Sequence, residues 1–179
     1  MRPQFVQFPG KIHLICDDRE LNSALTTINS ALKFGFDTET RPSFTKGEVY
    51  KVALLQLATE TDVFLFRLQG LTQFEPLKSI FENKAVIKVG VAIRDDLKNL
   101  QKLFRFVPEN FVELQNLAKE KGLKNFGIKG MAEEVLKAQV TKGPKLTNWE
   151  ASVLTTEQKM YAATDAWLGL KIFDSLNNS

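Results

Sequence analysis

Cysteine and histidine are nearly absent from this sequence. Cys16 is the one thiol and His13 the one imidazole in 179 residues. A lone cysteine excludes an internal disulfide framework and suits a reducing compartment. A lone histidine speaks against zinc centres and against Ser/His or Cys/His nucleophile schemes, which usually need that ring. His13 lies in the run IHLIC, which reads as a strand, so a half-buried or edge position fits it. The chemistry of this chain therefore has to run mostly on carboxylates, tyrosine, lysine or bound metal.

Long apolar runs are missing as well. None approaches the ~20 residues of a membrane span. The N-terminal stretch MRPQFVQFPG lacks the apolar core of a secretory signal. The expectation is an intracellular protein with no membrane association, cytoplasmic if the source is bacterial. Charge of one sign is scarce too: the net charge is +3, a mild basic bias compatible with a polyanionic partner. What the sequence does have is apolar material, 44% of residues with 14 Phe, enough for a large core. Its 179 residues fit a single domain over 1–179.

Strand patterns fall at Ile12–Cys16, Phe34–Glu39, Tyr50–Ala58, Asp62–Leu68 and Ala85–Val89. The polar TETD between the third and fourth suggests a hairpin. Helices are expected over Arg19–Leu32, with Asp17 or Asp18 as N-cap, and over Gln73–Glu82, Arg94–Phe104, Leu114–Lys121 and Met131–Gln139. Phe111–Leu114 is extended or opens the helix after it. Gly143 and Pro144 mark a loop. A last helix runs from near Thr155 to Leu176, with Thr155 and Gln158 spaced as a capping box. Strands that meander and then alternate with helices argue a mixed α/β architecture on one sheet. Residues 117–145 hold seven Lys against three Glu. This is either a solvated surface or a nucleic-acid contact.

Three acidic motifs fit a plain core poorly. In FGFDTET, Asp37 and Glu39 alternate along a strand, so they share a face with Cα atoms roughly 7 Å apart. Like charges there repel, and a divalent cation would remove that cost; a strand end wet by solvent would do so as well. In YAATDAWLGLKIF, Tyr161 and Asp165 lie four apart on a helix, one above the other on a mainly apolar surface. Asp165 is then either a structural aspartate with a backbone or lysine partner, or a functional one beside a tyrosine. In VGVAIRDDLKNL, two aspartates open a helix, where capping and the helix dipole favour acids without any catalysis. Asp95 shares its face with Lys98, Asn99 and Lys102, whereas Asp96 borders Leu100 and Leu103. If one of them enters a buried site, it is Asp96. Carboxylate clusters without histidine suit hard ions such as Mg²⁺ or Mn²⁺. Two such ions are the usual apparatus for phosphodiester cleavage.

These motifs, in this order, resemble the DEDD exonuclease superfamily in its tyrosine subclass, which includes ribonuclease D and the exonuclease domain of the Werner syndrome helicase. Asp37-Thr38-Glu39 matches the first motif, Gly90 to Asp96 the second, and Tyr161 to Asp165 the third. The connecting text KVALLQLA, ENKAVIKVGV, NFVELQNLAK and TNWEASVLTTEQ looks like the family too, so the resemblance runs from about Ile12 to Leu176. The sister subclass has a histidine where this chain has Met160, which assigns the role to Tyr161.

The resemblance implies a ribonuclease-H-like fold, a mixed central sheet flanked by helices. It implies a 3′-5′ exonuclease that uses two divalent metal ions, Mg²⁺ or Mn²⁺, to release 5′-mononucleotides from DNA or RNA. One ion would be held by Asp37, Glu39 and Asp165, the second mainly by Asp37 and the substrate phosphate. Asp96 would assist through water, and Tyr161 would orient the attacking water. Thr40, just past the first motif, is expected near the terminal nucleotide. Trp149 either stacks on a base or anchors its loop in the core. Leu97 and Lys98 follow Asp96 where the Werner domain has an aromatic residue, a departure from that domain's pattern at a substrate-contact position. The chain ends soon after the catalytic helix, so processivity and substrate choice are expected from the domain itself, an oligomer or a partner such as a helicase; the oligomeric state stays open. Three alternatives stand beside this reading: an RNA 3′-end trimming enzyme, a catalytically silent nucleic-acid-binding domain, and a metal-binding α/β domain acting on small phosphate compounds or short oligonucleotides.

Overall fold

The computed structural model describes Arg2, residues 4–141, Gly143 and residues 147–178. Pro144 of the expected loop, and Lys142 and Lys145 of the basic stretch, lie outside the described residues. Eight strands and six α-helices follow one another along the described chain: β1 (Gln4–Val6), β2 (Lys11–Ile15), α1 (Asp18–Asn29), β3 (Lys33–Thr40), β4 (Val52–Ala58), β5 (Asp62–Arg67), α2 (Glu75–Glu82), β6 (Ile87–Gly90), α3 (Ile93–Gln101), β7 (Phe111–Glu113), α4 (Leu114–Glu120), α5 (Ile128–Leu136), β8 (Ala138–Val140) and α6 (Thr156–Asn177). A single 3₁₀ turn, Leu68–Gly70, follows β5.

Six strands form the central sheet in the order β2-β5-β4-β3-β6-β7. The expected meander is there: β3, β4 and β5 are antiparallel neighbours. The outer strands β2, β6 and β7 join in parallel. The TETD turn closes tightly, with the Thr59 N–H donating to the Asp62 carbonyl at 2.7 Å. Strand β4 is buried at every position, as a strand covered on both faces must be.

Helices cover both faces of this sheet. Leu21 and Ile28 of α1, Leu77 and Phe81 of α2 and Leu100 of α3 pack with Phe34, Phe36, Leu55, Phe64 and Phe66. The other face belongs to α6, whose Ala162, Ala163 and Ala166 pack against Leu54, Val63 and Leu65. Farther along, Leu168 and Ile172 of α6 meet Leu114 of α4 and Met131 and Ala132 of α5. A helix covered on both sides is apolar nearly all round, which is the composition of α6. The capping box at its start is made as expected: Gln158 N–H donates to Thr155 Oγ1 at 3.0 Å, and Thr155 N–H to Gln158 Oε1 at 2.9 Å.

Gly35 sets how close α6 comes. It shares a face of β3 with Asp37 and Glu39, and a Cβ there would overlap the carbonyl oxygen of Ala166. The absent side chain lets the backbone of α6 lie directly on β3, and Asp165 arrives beside Asp37 as a result.

The structure departs from the sequence reading in several places. Besides the one expected sheet there is a second of two parallel strands, β1 and β8. The helix expected over Met131–Gln139 runs over Ile128–Leu136 instead. Lys137, at φ 54°, turns left-handed and stops it, and Ala138–Val140 then pairs with β1. Helix α1 ends at Asn29 and α3 at Gln101, each three residues early. Among the described residues no helix is long and apolar enough to cross a membrane.

Candidate active site

Asp37 and Glu39 project from the end of β3 on the face that α6 covers. Both are half-buried. Asp37 Oδ1 accepts the neighbouring Thr38 N–H at 2.8 Å. The register shifts between Glu39 and Thr40, so the strand bends away just past the pair. On α6 the four-residue spacing stacks Tyr161 over Asp165, whose charge bears on the phenol. The helix brings Asp165 to the strand end. One carboxylate oxygen each of Asp37, Glu39 and Asp165 lie within 4.8 Å of one another.

These groups strain one another's ionisation. Burial, reinforced by the charges of Asp37 and Asp165, pushes the Glu39 carboxyl up to about 9. The Gln56 amide opposes that rise. Burial also raises the Tyr161 phenol above its ordinary value, with the Asp165 and Glu39 charges adding to the effect. Three crowded, half-buried carboxylates, all oxygen donors, fit a hard divalent cation, which would replace mutual repulsion by attraction. The cluster could hold a metal.

Asp96 stands apart from this trio. Thr38 points to the opposite face of β3 from its two acidic neighbours, and its Oγ1 donates to Asp96 Oδ1 at 2.6 Å. Burial raises the Asp96 carboxyl to about 6, against the lowering effect of the Thr38 hydroxyl. Asp95 is exposed and Asp96 half-buried, as the helix face implied. Neither caps α3. That helix starts after Ala92 at φ 54°, and Glu113 from β7 accepts the N–H groups of Ala92 and Ile93, each at 3.0 Å. The capping explanation for an acid at position 96 is therefore removed.

The remaining sequence candidates separate clearly. Thr40 is exposed, past the bulge. Trp149 is only 1% exposed, with its ring centroid 6.2 Å from that of Tyr161. It anchors its loop beneath the tyrosine; stacking on a base needs an open ring face that a buried indole does not offer. His13 accepts or donates at 2.7 Å with Asp62 and stacks on Phe64, at the edge strand as expected.

Three contributors escaped the sequence reading. Glu113 caps α3. Gly143 lies against the Tyr161 ring so closely that a Cβ would overlap it. Gln56 is the one polar residue in the otherwise apolar β4, a visible signal.

A cavity of about 450 Å³ opens over the trio. Asp37, Glu39, Tyr161 and Asp165 line one side, and Gly127 and Lys129 at the start of α5 line the other. A second groove, about 550 Å³, flanks the same Tyr161 and Asp165 along Val6, Val140, Glu157 and Met160.

The family model described as 3′-5′ exonuclease matches residues 12–179. The chain belongs to the 3′-5′ exonuclease family. It is 34% identical over 184 residues to the mouse bifunctional 3′-5′ exonuclease/ATP-dependent helicase WRN, covering 97% of this chain and 13% of that protein. It is similar to the crystal structure of Escherichia coli RNase D, with TM-score 0.83 and 28% identity over 92% of this chain and 44% of that one. The Nibbler EXO domain of Aedes aegypti is similar too, with TM-score 0.82 and 25% identity over 93% of this chain and 87% of that one. The chain thus spans less than half the length of the mouse and Escherichia coli relatives. The match to RNase D bears out the ribonuclease-H-like fold, a mixed sheet flanked by helices. The exonuclease family is metal-dependent, in keeping with the acidic cluster.

Proposed function

We propose that this domain hydrolyses the terminal phosphodiester at the 3′ end of a nucleic acid and releases a 5′-mononucleotide, with two divalent ions, Mg²⁺ or Mn²⁺. The observation that carries the reading is the convergence of Asp37, Glu39 and Asp165 beside Tyr161 in one cavity. Asp37, Glu39 and Asp165 are the residues that would hold metal, and Asp96 assists from the other face of β3. When bound, the ions screen the phosphate, polarise the attacking water and stabilise the departing 3′-oxygen.

The protein's own groups do the rest. Tyr161 stays a neutral phenol, since its pKa lies above an ordinary value already near ~10. It cannot serve as a base at neutral pH. It positions the attacking water by hydrogen bond while Asp165 holds the phenol in place. Lys129 and the first turn of α5, whose N-cap Gly127 offers no side-chain acceptor, line the opposite wall and favour an anionic phosphate there.

The substrate is a nucleic-acid strand. Relatives are named as ribonuclease D and as an exonuclease joined to a helicase, and both RNA and DNA are to be tried. The test follows 3′-labelled single- and double-stranded DNA and RNA with Mg²⁺ or Mn²⁺. Immediate release of labelled mononucleotide is expected. A gel shift on the same strands without any product would instead establish the silent binding domain.

A further inference from the structure

Strand β4 is apolar at six of its seven positions, and the exception is Gln56. This side chain is fully buried. It stands opposite Asp37 in the antiparallel register, so both point toward α6, and Glu39 is its diagonal neighbour. Its Nε2 donates to the carbonyl of Ala162 on α6 at 3.2 Å. Its amide also faces the Glu39 carboxylate, where it favours the charged form of that group.

Both partners are acceptors, which fixes the amide's orientation. An NH₂ group has two hydrogens and can serve a carbonyl and a carboxylate together. The flipped amide would set its oxygen against both of them. In the orientation adopted, Oε1 is buried and has no hydrogen-bond partner among the described residues. A buried amide with an unsatisfied oxygen is a cost to the fold that an apolar side chain of similar volume avoids. What Gln56 contributes therefore lies in its two contacts. One holds a carboxylate of the strand pair, and the other holds the helix turn that carries Tyr161 and Asp165.

We propose that Gln56 is a positioning residue for the metal-binding carboxylates, orienting Glu39 and tying it to α6 at Ala162. This rests on the metal-dependent reading above. A carboxylate has acceptor capacity for a hydrogen bond and a metal at once, and outer partners of this kind commonly set metal affinity. Gln56 touches neither substrate nor reacting atoms; it acts through Glu39.

The test compares the parent protein with Gln56→Leu and Gln56→Met, both apolar and close in volume. Mn²⁺ affinity is read from the electron paramagnetic resonance of free Mn²⁺, with Mn²⁺ as the only ligand. Thermal melting in EDTA reports the fold, and cleavage is titrated against Mn²⁺. The expected result is melting at or above the parent temperature, with Mn²⁺ bound roughly 10-fold or more weaker, and cleavage partly restored by excess Mn²⁺. A folded variant with parental Mn²⁺ affinity and parental cleavage would overturn the proposal. Loss of folding in both variants would overturn it too, since Gln56 would then be needed for the fold itself. A parent protein that binds no Mn²⁺ would refute the metal-dependent reading directly, whatever the variants do.

Discussion

The Thr38 hydroxyl donates to Asp96 across the face of β3 opposite to Asp37 and Glu39. A single Asp-Thr-Glu run thus addresses both faces of the strand: its acids face α6 and its threonine holds the acid of α3. Thr38→Val keeps the shape and removes the donor. Asp96 then loses the bond that offsets its burial, so its carboxyl rises further above about 6. The expected outcome is a folded protein with roughly 10-fold lower cleavage and an acidic limb of the pH-rate profile displaced to higher pH. An unchanged profile would show that Asp96 plays no part in the reaction.

Tyr161→Phe separates metal binding from catalysis. The phenol is a hydrogen-bond group in this account, and Asp37, Glu39 and Asp165 remain. Cleavage should fall by roughly 100-fold or more, while Mn²⁺ affinity stays near the parent's. Equal loss of both would mean that the tyrosine shapes the carboxylate cluster instead.

Stability of the metal-free protein should depend on pH through Glu39. Its folded pKa of about 9 lies above the ordinary carboxyl value, so the native state holds a proton that the unfolded chain has released. The associated stability is full below the unfolded pKa, near ~4.3, and is lost as pH rises toward about 9. Melting temperature in EDTA should therefore decline from pH 5 to pH 9. Saturating Mn²⁺, which needs the carboxylate ionised, should flatten or reverse that slope. A flat profile in EDTA would contradict the crowding of the three acids.

Gly35→Ala tests how the site is assembled. The new methyl overlaps the Ala166 carbonyl, so α6 must shift off β3. Overpacking of this kind costs about 1–3 kcal/mol, and the displacement moves Asp165 away from Asp37. Melting should drop, and Mn²⁺ affinity should drop further than stability alone explains. Isothermal titration of the folded variant checks this.

Much of the site was legible because its geometry is local. Period-two alternation alone puts Asp37 and Glu39 on one face, a four-residue step stacks Tyr161 on Asp165, and the helix faces choose Asp96 over Asp95. The contributions that were not legible are all long-range. Strands β1 and β8 have three residues each and exist only because Gln4–Val6 meets Ala138–Val140. The cap on α3 comes from Glu113 on another strand. The lone Gln in β4 was visible in the sequence, yet its partners Glu39 and Ala162 become neighbours only once β3 and α6 have packed. Boundaries slipped where local backbone geometry decided them, as at Lys137, whose left-handed turn ends α5 before the apolar pattern does.

The most direct test of the central claim is a gel time course on a 5′-labelled strand, with the parent protein and Asp37→Ala side by side, in Mg²⁺ or Mn²⁺ and in EDTA. The account predicts a ladder that shortens from the 3′ end with the parent and metal, and none in EDTA or with Asp37→Ala. Full activity of a clean Asp37→Ala preparation, or a ladder indifferent to EDTA, would contradict it.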